Sequence, residues 1–207
     1  MTKQMTLAAY FNPTGHHVAS WRHPRADPMA NVSIEHYVEM AQAAERAKFD
    51  MIFLADSNAT REAHIEAISR SVQFVAHFEP LTLLSALAMV TKHIGLTATA
   101  STTYQEPYNL ARKFASLDHI SHGRAGWNLV TSAQPAEALN FGREKVGNHA
   151  ERYGRAREFA KVVYGLWDSW DDDAFVRDVD GGLYFDPDKM HYLRHEGEQF
   201  KVRGPLN

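Results

Sequence analysis

Cysteine is absent from these 207 residues. That removes disulfides, thiolate metal sites, iron–sulfur clusters and cysteine nucleophiles together, and it suits a reducing compartment. A basic excess is missing too. The 22 Lys and Arg stand against 25 Asp and Glu, so the formal charge is −3 and no cationic face is imposed. Nucleic acid is therefore not an expected partner. No apolar run approaches the ~18 residues that cross a bilayer. The opening MTKQMTLAAYFN is too short and too polar for a secretory signal. No membrane role is expected, and a cytoplasmic location is. Phosphate loops are also lacking: neither GxGxxG nor GxxxxGKS/T occurs, which weakens a nucleotide-binding Rossmann or P-loop reading. There are 12 histidines but no HExxH, and His191 and His195 fall in an irregular stretch, so no metal site is expected.

What is present is a globular chain. With 44% hydrophobic and 23% charged residues, it can bury a sizeable core, and disorder is not the default. Strand-like and helix-like patterns alternate. Residues 5–11 form a short apolar run ended by Asn12-Pro13-Thr14-Gly15, a turn cluster. Ser33 suits the cap of a helix in which Ile34, Tyr37, Val38, Ala41 and Ala44 recur at helical spacing. FDMIFLA (49–55) reads as a second strand, and a helix is expected over 60–74. Glu79-Pro80 opens a largely apolar helix over 81–92. IGLTATAS (94–101) is a third strand, 107–120 a helix, RAGWNLVT (124–131) a fourth strand, and 144–168 a long helical pattern. Residues 171–207 read as loops and short hairpins inserted in one partial domain that spans 1–207.

Strands alternating with helices imply an α/β fold with a parallel sheet, either doubly wound or a TIM-type (β/α)8 barrel. Four βα units are visible. A barrel needs eight, so on that reading the chain carries about the first half plus an irregular C-terminal excursion. In either fold the chemistry sits at the C-terminal strand ends. Those ends are 12–17, 56–60, 101–108 and 128–132, and they supply Asn, His, Asp, Thr and Tyr. Taken alone, each residue has an ordinary reading. Asp56 suits a helix N-cap, and Thr102 a β-branched strand position, with Ser101 and Thr103 as neighbours. Asn128 suits a buried strand-end amide, and His149 with Tyr153 a solvated helix face. Asp171-Asp172-Asp173 lacks calcium-loop spacing and reads as a turn. Trp167 and Trp170 read as packing, and Asn31-Val32-Ser33 matches a glycosylation sequon.

The stretches FDMIFLAD (49–56), EPLTLLSALAMVTKHIGLTATASTTYQEPYNLARKFASLDHIS (79–121), GRAGWNLVTS (123–132), NFG (140–142) and HAERYGRAREF (149–159) resemble the flavin-dependent monooxygenases of the bacterial-luciferase-like superfamily. The similarity is to the nitrilotriacetate, dibenzothiophene-sulfone and long-chain alkane monooxygenase branch, and it runs from WRHP (21–24) to GPLN (204–207). It implies a TIM barrel and FMN, used as FMNH2 delivered by a separate NAD(P)H:FMN reductase. It also implies O2 and a small organic substrate. It puts Asp56, Thr102, His149 and Tyr153 at the flavin and assigns His16 to the substrate side as the catalytic candidate, with His17 the alternative; the Asn128 amide, which can donate and accept at once, suits a uracil-like flavin edge beside them. Such a site needs few ionisable residues, because the cofactor carries the hard chemistry. Family members run about twice this length. The competing expectation is a truncated, inactive half-barrel that needs a partner chain or is a gene fragment. Open strand edges would drive it toward a homo-oligomer. A metal-dependent hydrolase ranks last, because Asp56 and Glu106 are the only carboxylates in the four strand-end segments.

Overall fold

The computed structural model describes residues 5–61, 64–73 and 75–207. Four strands, β1 (Ala8–Tyr10), β2 (Met51–Leu54), β3 (Gly95–Ser101) and β4 (Ala125–Val130), lie side by side in chain order. β1 pairs with β2 and β2 with β3 in parallel, with Ala9 opposite Ile52 and Ile52 opposite Leu96. Helix α1 (Ile34–Arg46) joins β1 to β2, while α2 (Ile65–Ile68) and α3 (Pro80–Ala88) join β2 to β3. Helix α4 (Pro107–Ser121) precedes β4, and α5 (Pro135–Asn140) and α6 (His149–Trp167) follow it. A doubly wound sheet reverses its strand order at a switch point. These strands never reverse, so the α/β class holds and the Rossmann-like arrangement does not.

Local chemistry sets the helix boundaries. The Ser33 hydroxyl accepts from His36 N at 3.2 Å and starts α1 as expected. The Glu79 carboxylate accepts from Leu81 N at 3.1 Å and Thr82 N at 2.7 Å, with Pro80 in the first turn, and starts α3. That helix stops at Ala88, short of residue 92. Thr91 Oγ1 donates to Leu87 O at 2.8 Å, and Arg124 takes Ala88 O and Thr91 O. Glu45 Oε1 meanwhile accepts from the amides of Lys92, His93 and Ile94 at 2.7–3.1 Å. The groups a longer helix would use are already bonded across the fold.

The helix expected over 60–74 is reduced to the single turn α2; Glu62, Ala63 and Phe74 lie outside the described residues. Long-range partners replace the helical ladder there. Trp21 Nε1 donates to Arg70 O at 3.1 Å and Asn31 Nδ2 to Val72 O at 3.3 Å, while Ser69 Oγ bonds back to Glu66 O at 2.9 Å. Helix α6 starts at His149, not 144, because Asn148 and Glu151 form a reciprocal cap. The short helix α5 was not anticipated.

The chain forms two compact units, Met1–Ala100 with Ser116–Val146, and Ser101–Ala115 with Gly147–Asn207. The first unit buries Ile52, Leu84, Leu87 and Leu96 completely. Gly126 is required in β4, since a Cβ there would lie 2.6 Å from Thr97 Oγ1 on β3. The second unit buries Phe159, Val162, Val163 and Leu166 of α6, with Phe200 edge-on to Phe159 at 5.6 Å. Its C-terminal part is irregular apart from one 3-10 turn (Pro187–Lys189), one antiparallel pair, β5 (His195–Glu196) and β6 (Lys201–Val202), and two isolated bridges. Among the described residues no helix is long and apolar enough to cross a membrane.

Candidate functional site

In the first unit, the exit of β1 is a turn in which Gly15 N donates to Asn12 O at 2.8 Å; Gly15 takes φ +96°, a conformation few other residues adopt. His36 of α1 bonds Pro13 O at 3.2 Å and holds this turn. His16 is exposed, its ring stacked on Tyr10 at 4.9 Å, and Tyr10 stacks on Phe53 at 5.6 Å. Its carbonyl accepts from Gln73 Nε2 at 2.9 Å. His17 is committed locally, its Nδ1 accepting from Ala19 N at 3.1 Å. The structure thus separates the two histidines: His16 presents a ring beside β1 and β2, and His17 stabilises a turn.

Asp56 follows β2, half-buried, with no helix starting after it, so it is not an N-cap. Burial pushes its carboxyl up to about 6. The Ser57 amide pulls the other way, and the negative charges of Glu79 and Glu137 add to the rise. Glu137, which sequence reasoning missed, is 4% exposed. Its Oε1 accepts from Asn58 N at 3.0 Å and from Ser132 Oγ at 3.3 Å. Ser132 sits at the exit of β4 with φ +46°, a strained backbone for a residue with a side chain. Asn140 Nδ2 donates to Asn58 O at 2.8 Å, so α5 holds both backbone polar groups of Asn58. The signal for α5 was QPAE (134–137), with Pro in the first turn and Glu at the third helical position. Asn128 lies within β4, half-buried, its Nδ2 donating to Thr99 Oγ1 at 2.9 Å. One face of that amide is therefore already used within the sheet.

In the second unit, Thr102 is fully buried just past β3. His149 and Tyr153 share the exposed first turns of α6, with rings stacked at 4.2 Å. Arg155, two residues further along, donates from Nε to Thr102 O at 3.0 Å and from Nη2 to Gln105 O at 3.2 Å. Its guanidinium also covers the Phe200 ring at 4.4 Å. This arginine ties the helix bearing His149 and Tyr153 to the loop bearing Thr102. Arg152 Nη1 bonds Gly147 O at 2.8 Å and firms the start of the same helix. A helix N-terminus with a histidine, a tyrosine and an arginine suits an anion.

Other tempting groups serve the fold. His195 Nε2 bonds Glu158 Oε1 at 3.0 Å, and His191 bonds Asp171 at 2.9 Å. Asp173 pairs with Lys189. Trp167 and Trp170 donate to Ala111 O and Leu206 O. Asn31 of the sequon is buried, its amide bonded to Val72 O and Val75 O. Among the described residues no group of three His, Asp or Glu could hold a metal.

The family model described as luciferase-like monooxygenase matches residues 14–205. The chain is 56% identical to N-acetyl-S-(2-succino)cysteine monooxygenase of Bacillus subtilis (strain 168), covering 99% of itself and 45% of that protein. It is 52% identical to nitrilotriacetate monooxygenase component A of Aminobacter aminovorans, covering 99% of itself and 47% of that protein. Among solved structures it matches a riboflavin lyase with modified FMN and riboflavin, at TM-score 0.89 and 33% identity, covering 99% of this chain and 47% of the other. The chain spans about half the length of the curated relatives it matches.

Proposed function

The chain belongs to the luciferase-like monooxygenase family, and from that premise we propose that it is the flavin-holding part of an FMN-dependent monooxygenase with a TIM-barrel fold. A small organic substrate is oxidised with O2, and a separate NAD(P)H:FMN reductase supplies the reduced flavin. The observation that carries the reading is Asp56: a half-buried carboxyl at a strand exit, pushed up to about 6 chiefly by burial. Support for FMN comes from the riboflavin lyase, whose structure holds modified FMN. Support for a separate reductase comes from a relative named component A.

When bound, reduced FMN supplies the electrons that activate O2. The residues here would bind and orient it. His149, Tyr153 and the N-terminus of α6 would hold its phosphate side, and the Thr102 hydroxyl would bond its ring. The Asp56 carboxyl would serve the ring as well, keeping a proton on its own oxygen below about pH 6. Asn128 would line the site with the acceptor its Thr99 bond leaves over, and His16 would serve the substrate side as the catalytic candidate.

Titration of the purified chain with FMN tests the reading, followed by assay with a flavin reductase, NADH and O2. Saturable FMN binding that is weakened by Tyr153→Ala is expected; no binding at millimolar FMN rejects the reading for this chain.

A further inference from the structure

The mechanism leaves one buried carboxylate unused. Glu137 is 4% exposed and sits on α5, a helix too short to be rigid alone. It contacts two strand exits at once. Oε1 accepts from Asn58 N at 3.0 Å, beyond β2, and from Ser132 Oγ at 3.3 Å, beyond β4. Asn140, one helical turn on, donates to Asn58 O at 2.8 Å. The Asn58 N–H and C=O are therefore both held by one helix, and Asn58 is two residues from Asp56. A buried carboxylate is costly unless its acceptors are filled. Here the bonds it accepts run to the two loops that frame the exits of β2 and β4. The left-handed backbone at Ser132, φ +46°, brings its hydroxyl to the same oxygen.

We propose that Glu137 and Asn140 are positioning residues that clamp the Asn58 backbone through its N–H and its C=O, and thereby fix the direction in which Asp56 meets the flavin. The clamp rests on the flavin reading above, but its geometry is tested without flavin. Glutamine at 137 keeps an acceptor for Asn58 N and removes the charge; alanine removes both.

The experiment compares Glu137→Ala, Glu137→Gln and Asn140→Ala with the unaltered chain, with folding checked by circular dichroism. The first readout is amide hydrogen exchange at Asn58 in the flavin-free chain. Faster exchange by at least tenfold is expected in Glu137→Ala, with near-normal protection in Glu137→Gln. The second readout is FMN affinity as a function of pH. About tenfold weaker binding is expected for Glu137→Ala and a smaller loss for Asn140→Ala, with recovery in Glu137→Gln. Glu137→Gln should also shift the pH at which FMN affinity falls to a lower value, because a neighbouring negative charge that opposes Asp56 ionisation is gone. A merely structural role would not produce that recovery together with a shifted profile. Unchanged Asn58 exchange in Glu137→Ala overturns the clamp, as does Glu137→Gln behaving like alanine in both readouts. If Glu137→Ala does not fold, Glu137→Gln and Asn140→Ala carry the test alone. There, unchanged Asn58 exchange in Asn140→Ala with an unshifted Glu137→Gln profile overturns it. Absence of FMN binding by the unaltered chain refutes the flavin reading while leaving the exchange result to judge the clamp.

Discussion

Replacing Asp56 by Asn removes a titration that works against the fold. The carboxyl is raised from 3.8 to about 6, chiefly by burial, with Glu79 and Glu137 adding to it. Its folded value therefore lies above its unfolded value. The stability this contributes is fully present below about pH 4 and is lost as the pH rises through about 6. At full weight the displacement corresponds to about 3 kcal/mol. Asp56 is only half-buried, so screening by water brings the expected figure to about 1–2 kcal/mol. Urea denaturation of both proteins at about pH 4 and about pH 7.5 measures it, because titrations not coupled to Asp56 cancel in the difference. Asp56→Asn should gain about 1–2 kcal/mol relative to the unaltered chain between the two conditions. FMN binding should fall in the same variant, since stability and function are traded at such a position. A difference that stays flat with pH, or runs the other way, refutes the electrostatic account of this residue.

Three further outcomes are expected. Arg124 donates to Ser121 O, Ala88 O, Thr91 O, Thr91 Oγ1 and Ile94 O at 2.7–3.2 Å. Arg124→Ala should therefore cost about 3 kcal/mol in urea unfolding, and Arg124→Lys should recover less than half of that because the fork is lost. Gly126→Ala forces Thr97 aside and should cost about 1–3 kcal/mol, measured as a drop in Tm. Arg155→Lys keeps the charge but not both carbonyl bonds to Thr102 and Gln105; FMN affinity should fall about tenfold with little change in Tm.

The parts of this protein legible from its residues are those decided within a few positions of the chain. Ser33 and Glu79-Pro80 announce two helices because caps are local hydrogen bonds, and the four apolar runs announce four strands because a continuous apolar run suits parallel pairing. Asn148 and Glu151 were just as legible, and the pattern over 144–168 should have been cut there. Where the local signal was wrong, a distant partner had won. Glu45 and Arg124 end α3 by taking its continuation's amides and carbonyls, and Trp21 and Asn31 draw residues 70–72 out of a helix. The candidate site divides along the same line. Asp56, Thr102 and the His149/Tyr153 pair stand out as residue types in place, whereas Glu137 gripping Asn58 from 79 residues away and Arg155 gripping Thr102 from 53 exist only once the chain is folded. Composition and spacing determine which groups are offered at the strand ends. Burial and long-range hydrogen bonds, which no window of sequence contains, decide how those groups ionise and where they are held.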